Sequence, residues 1–160
     1  MENAPFLSLT TVLLALFPLT HLIHFAEEYF CAGGYPAYLM RLRGVHLPMA
    51  KFVGFQIFGF VFFVTTGLIS YYLNFPEFMI LILGGLFVCN GLSHSITAIW
   101  DRHYGPGLIT SAFVWLPLGL VAIYMMFGKI SNVQFMIATL IGLSINGGIA
   151  ILTMRGGKIV

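Results

Sequence analysis

Long apolar tracts alternate with short polar breaks along this chain. Crossing the hydrocarbon core of a bilayer takes about 20 mostly apolar residues. Five tracts reach that length, at roughly 6–30, 50–72, 78–100, 107–128 and 132–154. The breaks carry turn chemistry: Gly33-Gly34-Tyr35-Pro36, Asn74-Phe75-Pro76-Glu77, Gly105-Pro106-Gly107 and Lys129-Ile130-Ser131-Asn132. The pattern predicts an all-α integral membrane bundle of about five transmembrane helices, folded as a single domain over residues 1–160.

Residues 31–49 form the one long connection. Within it, residues 36–43 fit two readings. One is a short interfacial helix with its tyrosine and leucines toward lipid and its arginines toward headgroups, closed by Gly44. The other is an irregular loop with stop-transfer arginines. The fifth tract carries Ala138, Gly142, Asn146 and Ala150 at i+4 spacing, a small-residue packing seam.

The polar exceptions to this pattern fall in two groups. Near the end of the first tract come His21, His24, Glu27 and Glu28, just after Pro18, which is expected to kink the helix. At about 100° per residue these four side chains share an arc of roughly 120°. His24 can reach Glu27 at i+3 or Glu28 at i+4. In the third tract Asn90, His94, Thr97 and Asp101 fall within roughly 60° on the helical wheel. Arg102, His103 and Tyr104 follow directly. The fourth tract then opens with Gly105-Pro106-Gly107, where free N–H groups at a helix start near the site fit a seat for an anion or carboxylate, and simple capping explains Pro106 equally well. Helices one and three end on the same side of the bundle, so both groups sit at one depth. A charged side chain at the centre of a membrane helix costs about 2.5–3.5 kcal/mol on insertion scales, so such a convergence calls for a purpose. Gln56, alone in the second tract, suits an interhelical hydrogen bond or a place in the same site.

Composition and charge narrow the class. The chain is 59% hydrophobic and 8% charged, with a mean hydropathy of +0.98. Soluble domains carry about 25% charged residues, so a water-facing surface is excluded. A net charge of +2 with no basic run argues against nucleic acid. Cys31 and Cys89 lie far apart and suggest no disulfide framework. The first residues, Met1 to Pro5, lack the basic start of a secretory signal, so the first tract is expected to remain as a helix. Arg41, Arg43, Lys51, Arg102, Arg155 and Lys158 follow helices one, three and five, whereas Lys129, with Glu2 and Glu77, lies at the other side. The positive-inside rule then predicts an outside N-terminus and a cytoplasmic C-terminus in a multi-pass protein of the cell membrane.

Histidines and carboxylates arriving from different elements form the usual ligand set for zinc or non-haem iron. The predicted ligands of a divalent metal are His24, Glu28, His94 and His103, with Glu27 as catalytic base or second carboxylate ligand. His21, Asn90 and Asp101 would fix imidazole tautomers, and Arg102 and Tyr104 would support the site or position substrate. Each histidine alone also fits a packing role; the joint arrangement carries the argument.

Three motifs also carry a resemblance. His24-Phe-Ala-Glu27-Glu28 reads His-x-x-Glu-Glu, Asn90-Gly-Leu-Ser-His94 reads Asn-x-x-x-His, and His103-Tyr104-Gly105-Pro106-Gly107 follows. Together they resemble the HXXEE-domain family of small membrane proteins, from the first helix into the fourth. That resemblance implies an active site built from His24, Glu27, Glu28, Asn90, His94 and His103.

Three function classes stay open. One is a membrane metalloenzyme, a hydrolase or oxidase, acting on a lipid-like or other hydrophobic small molecule at the cytoplasmic interface. The second is a metal-free Glu/His hydrolase, which resembles in outline the CAAX-type intramembrane glutamate proteases. Their Glu-Glu-x-x-x-Arg pattern fails here, because Ala32 stands at the arginine position. The third is a non-enzymatic binder of metal, haem or a small ligand. Polarity confined to one end of the bundle argues against a carrier. Membrane lipids are the expected surroundings, and assembly into a homo-oligomer is open.

Overall fold

A computed structural model describes residues 8–155, which form helices with no strand among them. Helix α1 runs Leu9–Phe30, α2 Tyr35–Arg43, α3 Met49–Leu73, α4 Pro76–Asp101, α5 Leu108–Met126 and α6 Asn132–Arg155. All but α2 are long and apolar enough to cross a membrane. Phe6 and Leu7 of the first predicted tract, Glu2 and Lys158 of the charge argument, and the side chains of Ala150 and Arg155 lie outside the described residues.

The ends follow from local chemistry. Ser8 caps α1 by accepting the Thr11 N–H at 3.2 Å. The helix is continuous through Pro18 and stops at Cys31, whose backbone is extended. Ala32, Gly33 and Gly34 then all take positive φ and turn the chain into α2. Pro36 lies in the first turn of α2, and Gly44 closes it in the left-handed conformation. Asn74 and Arg102 end α3 and α4 in the same left-handed way.

The long connection therefore contains a helix, but its faces differ from expectation. Tyr38 and Leu39 are buried against Val45, Leu47 and Phe52 instead of facing lipid. Arg43 pairs with Asp101 at 2.7 Å instead of reaching outward, and the Tyr38 hydroxyl donates to Asp101 at 2.9 Å. Apolar burial and one shared carboxylate thus dock α2 on the protein.

Helix α4 is the axis of the bundle. Residues Ile80 to Phe87 are buried on every side, packed among Phe17, Phe63, Trp115, Ala122, Met126 and Ala138. Glycines let the backbones of α4 and α6 touch: a Cβ on Gly85 would lie 2.7 Å from Thr139 O, and one on Gly142 2.1 Å from Ile82 O. Ala138, Gly142 and Asn146 of the predicted seam face this contact, and Asn90 Nδ2 donates across it to Asn146 Oδ1 at 3.3 Å.

Helix α5 departs from regular geometry next to the site. Residues Ser111–Trp115 form a π turn, in which the Leu116 N–H bonds Ser111 O, five residues back. Pro117 cannot donate to the carbonyl four residues before it, which favours a widened turn at this place.

Candidate functional site

The last turns of α1, the second half of α4 and the start of α5 meet at one end of the bundle. There His24 and Glu28 lie one helical turn apart, and His94 faces them from α4. His24 Nε2 and His94 Nε2 each stand 3.5 Å from Glu28 Oε1. One ligand atom from each of the three residues lies within 4.8 Å of the others. His24 and Glu28 are 2% and 4% exposed and His94 is half-buried, so the cluster is largely covered by protein.

The surrounding groups orient these atoms. Gln56 of α3 donates from Nε2 to Glu28 Oε2, which leaves Oε1 to the two imidazoles. The backbone carbonyl of the same Gln56 accepts from His21 Nε2 at 2.9 Å. His21 is buried in a gap opened by Gly59, where a Cβ would lie 3.1 Å from its Cε1, and its Nδ1 has no hydrogen-bond partner among the described residues. The Trp115 ring lies 4.1 Å from the His24 ring, centroid to centroid, and stacks on Phe87 at 4.0 Å, so the cluster abuts the apolar core of the bundle. Gly107, at φ +86°, presses its backbone onto the cluster. A Cβ there would come within 2.7 Å of His24 Cε1, 2.8 Å of Glu28 Cγ and 2.9 Å of His94 Cε1.

Glu27 does not join the three. Its Oε1 accepts from the Tyr104 hydroxyl at 2.6 Å and the Ile109 N–H at 2.9 Å. Its Oε2 accepts from the Thr110 N–H at 2.7 Å and the Thr110 hydroxyl at 2.6 Å. The carboxylate thus caps the start of α5, where free N–H groups and the helix dipole favour an anion. Thr110 Oγ1 also lies 2.8 Å from His24 Nδ1, and Ser111 Oγ lies 3.4 Å from the same nitrogen. Ser111 in turn donates to Asn90 Oδ1 at 2.7 Å, so Asn90 reaches His24 through a hydroxyl.

The other predicted site residues lie at the rim. Asp101 gives its carboxylate to Tyr38 and Arg43, while its backbone carbonyl meets His103 Nδ1 at 2.7 Å. His103 and Arg102 are exposed and stand apart from the three clustered residues. Burial and the bond to Glu27 hold the Tyr104 phenol proton well above the ordinary tyrosine range. Burial and the Glu28 carboxylate do the same for Tyr35, whose ring lies 6.0 Å from that of His94.

Sequence reasoning did not single out Tyr35, Thr110, Ser111 or the backbone of Gly107. Hydroxyl residues in an apolar helix usually bond their own backbone, so Thr110 and Ser111 gave no signal by type. Their position directly after Gly105-Pro106-Gly107, opposite a His/Glu helix, was the available clue.

Fold and site together define an all-helical bundle, with five helices long and apolar enough to cross a membrane and a buried His/Glu cluster at one end. The family model described as "protein of unknown function with HXXEE motif" matches residues 15–122, and the chain belongs to that family. Neither a curated protein nor a solved structure matches the chain.

Proposed function

We propose that this protein is a membrane-embedded metal-dependent hydrolase, with His24, Glu28 and His94 holding one divalent ion. The spacing of their ligand atoms carries the reading. At 3.5 Å the imidazole nitrogens are too far from Glu28 Oε1 for good hydrogen bonds. Ligands bound at 2.0–2.2 Å in a tetrahedron, however, stand about 3.3–3.5 Å apart. Two of the three ligand-atom pairs have that spacing and all three atoms lie within 4.8 Å of one another, a His/His/Glu set that suits zinc or non-haem iron, and we take the ion to be zinc. A cation would also neutralise a buried carboxylate whose one hydrogen-bond donor among the described residues is Gln56.

Three protein ligands leave the fourth position of a tetrahedron for water, the arrangement of catalytic zinc sites. Zinc supplies an acidified water and polarises a bound carbonyl or phosphoryl group. The protein's own residues hold the ligand geometry, and the buried Trp115 ring packs against His24 and keeps that side of it apolar. A site at one end of an apolar bundle suits an amphiphile whose tail stays in the bilayer. By the positive-inside rule, the six Lys and Arg residues that follow the first, third and fifth apolar tracts of the sequence support a cytoplasmic side for that end.

The test is elemental analysis of detergent-purified protein beside His94→Ala. Near-stoichiometric zinc in the wild type that falls at least tenfold in the variant supports the reading. A folded wild type without metal, after exposure to zinc and removal of excess, overturns it and favours metal-free Glu/His hydrolysis.

A further inference from the structure

Glu27 stands beside the ligand Glu28, yet it has nothing left with which to take a proton from water. An ionised carboxylate offers about four lone-pair sites, and four donors fill them: the Tyr104 hydroxyl, the Ile109 and Thr110 N–H groups and the Thr110 hydroxyl. The last of these has a consequence one bond further on. A threonine hydroxyl has a single proton. Thr110 gives its proton to Glu27 at 2.6 Å, so toward His24 Nδ1 at 2.8 Å its oxygen can only accept. The alternative acceptor for that proton, Gly107 O at 3.4 Å, leads to the same result. His24 must therefore carry its proton on Nδ1. Ser111 adds a second constraint of the same sign, because its hydroxyl donates to Asn90 Oδ1 and leaves its oxygen facing His24 Nδ1 at 3.4 Å.

We infer that Glu27, through Thr110, is a positioning residue that presets His24 as the Nδ1–H tautomer and so presents the Nε2 lone pair to the metal position. The inference rests on reading the cluster as a metal site. Without the relay the Nδ1 proton would lose its nearest acceptor, and the Glu28 charge 3.5 Å from Nε2 would favour the opposite tautomer. The relay therefore holds a lone pair against a carboxylate oxygen, an arrangement that a cation between them relieves. It also couples two tasks, because the carboxylate that orients the ligand is the one that caps α5 and holds the Gly107 turn over the site.

The experiment uses full-length protein in detergent, with the zinc ion as probe. Nitrogen-15 spectra of the metal-free, histidine-labelled protein distinguish Nδ1–H from Nε2–H imidazoles, and the His24 signal is identified by its loss in His24→Gln. The expected result is Nδ1–H in the wild type and in Thr110→Ser, with a shift toward Nε2–H in Thr110→Val. Zinc competition against a chelator should show a 10- to 100-fold weaker Kd for Thr110→Val, the range for lost outer partners of metal-binding histidines. Thr110→Ser should stay within about threefold of wild type, because it keeps the hydroxyl. An Nε2–H wild type overturns the inference. So does a Thr110→Val protein with unchanged tautomer and zinc affinity. A wild type with Nδ1–H that binds no zinc leaves the relay standing and overturns the metal reading instead.

Discussion

Gly107 occupies the point where one methyl group would meet His24, Glu28 and His94 together. Its φ of +86° adds backbone strain for any L-residue. Gly107→Ala should therefore cost about 1–3 kcal/mol of stability and abolish zinc binding, as read by unfolding in detergent and by metal content. Zinc affinity equal to wild type would show that the turn does not shape the site. At this scale the three clustered residues were legible beforehand, because i,i+4 spacing places His24 over Glu28 and the α4 stripe ends at the same depth. The start of the fourth tract, after Gly105-Pro106-Gly107, was legible as a seat for a carboxylate, because a helix N-terminus offers free N–H groups. That Glu27 takes this seat, through the N–H groups of residues 109 and 110, was not legible, since no side-chain pattern pairs it with a helix start so far along the chain. The structure accordingly suggests that Glu27→Gln weakens zinc binding as well as any activity. Retained zinc with activity lost would return Glu27 to the role of base.

Helix α2 is the element whose surroundings could not be read from its own sequence. An apolar face looks the same whether it meets lipid or the start of α3, and only the Asp101 contact, from 58 residues away, decides. Removing the hydroxyl in Tyr38→Phe should cost about 1 kcal/mol, and breaking the mostly buried Arg43–Asp101 pair about 1 kcal/mol or more. Both changes should raise amide exchange in residues 35–43 more than in α4; uniform exchange across the two would contradict docking. Burial, reinforced by the Asp101 bond, pushes the Tyr38 phenol up to about 12. A folded-state value above the ordinary one of about 10 means this contribution is full below about pH 10 and lost as pH rises through 12. That α6 packs along a small-residue seam was legible in outline, although nothing in the seam names α4 as its partner. The nearness of the approach was not, and it makes Gly142→Ala costly by about 1–3 kcal/mol, since the new Cβ would run into the Ile82 carbonyl. The π turn in α5 went unforeseen as well, because Pro117 signals a disturbance without specifying its form.

Over the whole molecule, the tract pattern alone located all five long helices to within about three residues, because a hydrocarbon solvent leaves few ways to hide the backbone. It also located the end at which polar groups gather. Sidedness is a property of charge at the helix ends, and it predicts that single cysteines introduced at Tyr104 and at Pro76 label from opposite faces of the membrane. Labelling of both from one face would sink the orientation. Whether His24, Glu28 and His94 share one ion decides the function of the site. Zinc-edge X-ray absorption of the purified, zinc-loaded protein addresses this most directly. Two imidazole nitrogens and carboxylate or water oxygens at about 2.0–2.2 Å, with one imidazole lost in His94→Ala, is the predicted result. A spectrum of six-coordinate, imidazole-free zinc that does not change in the variant would contradict the account.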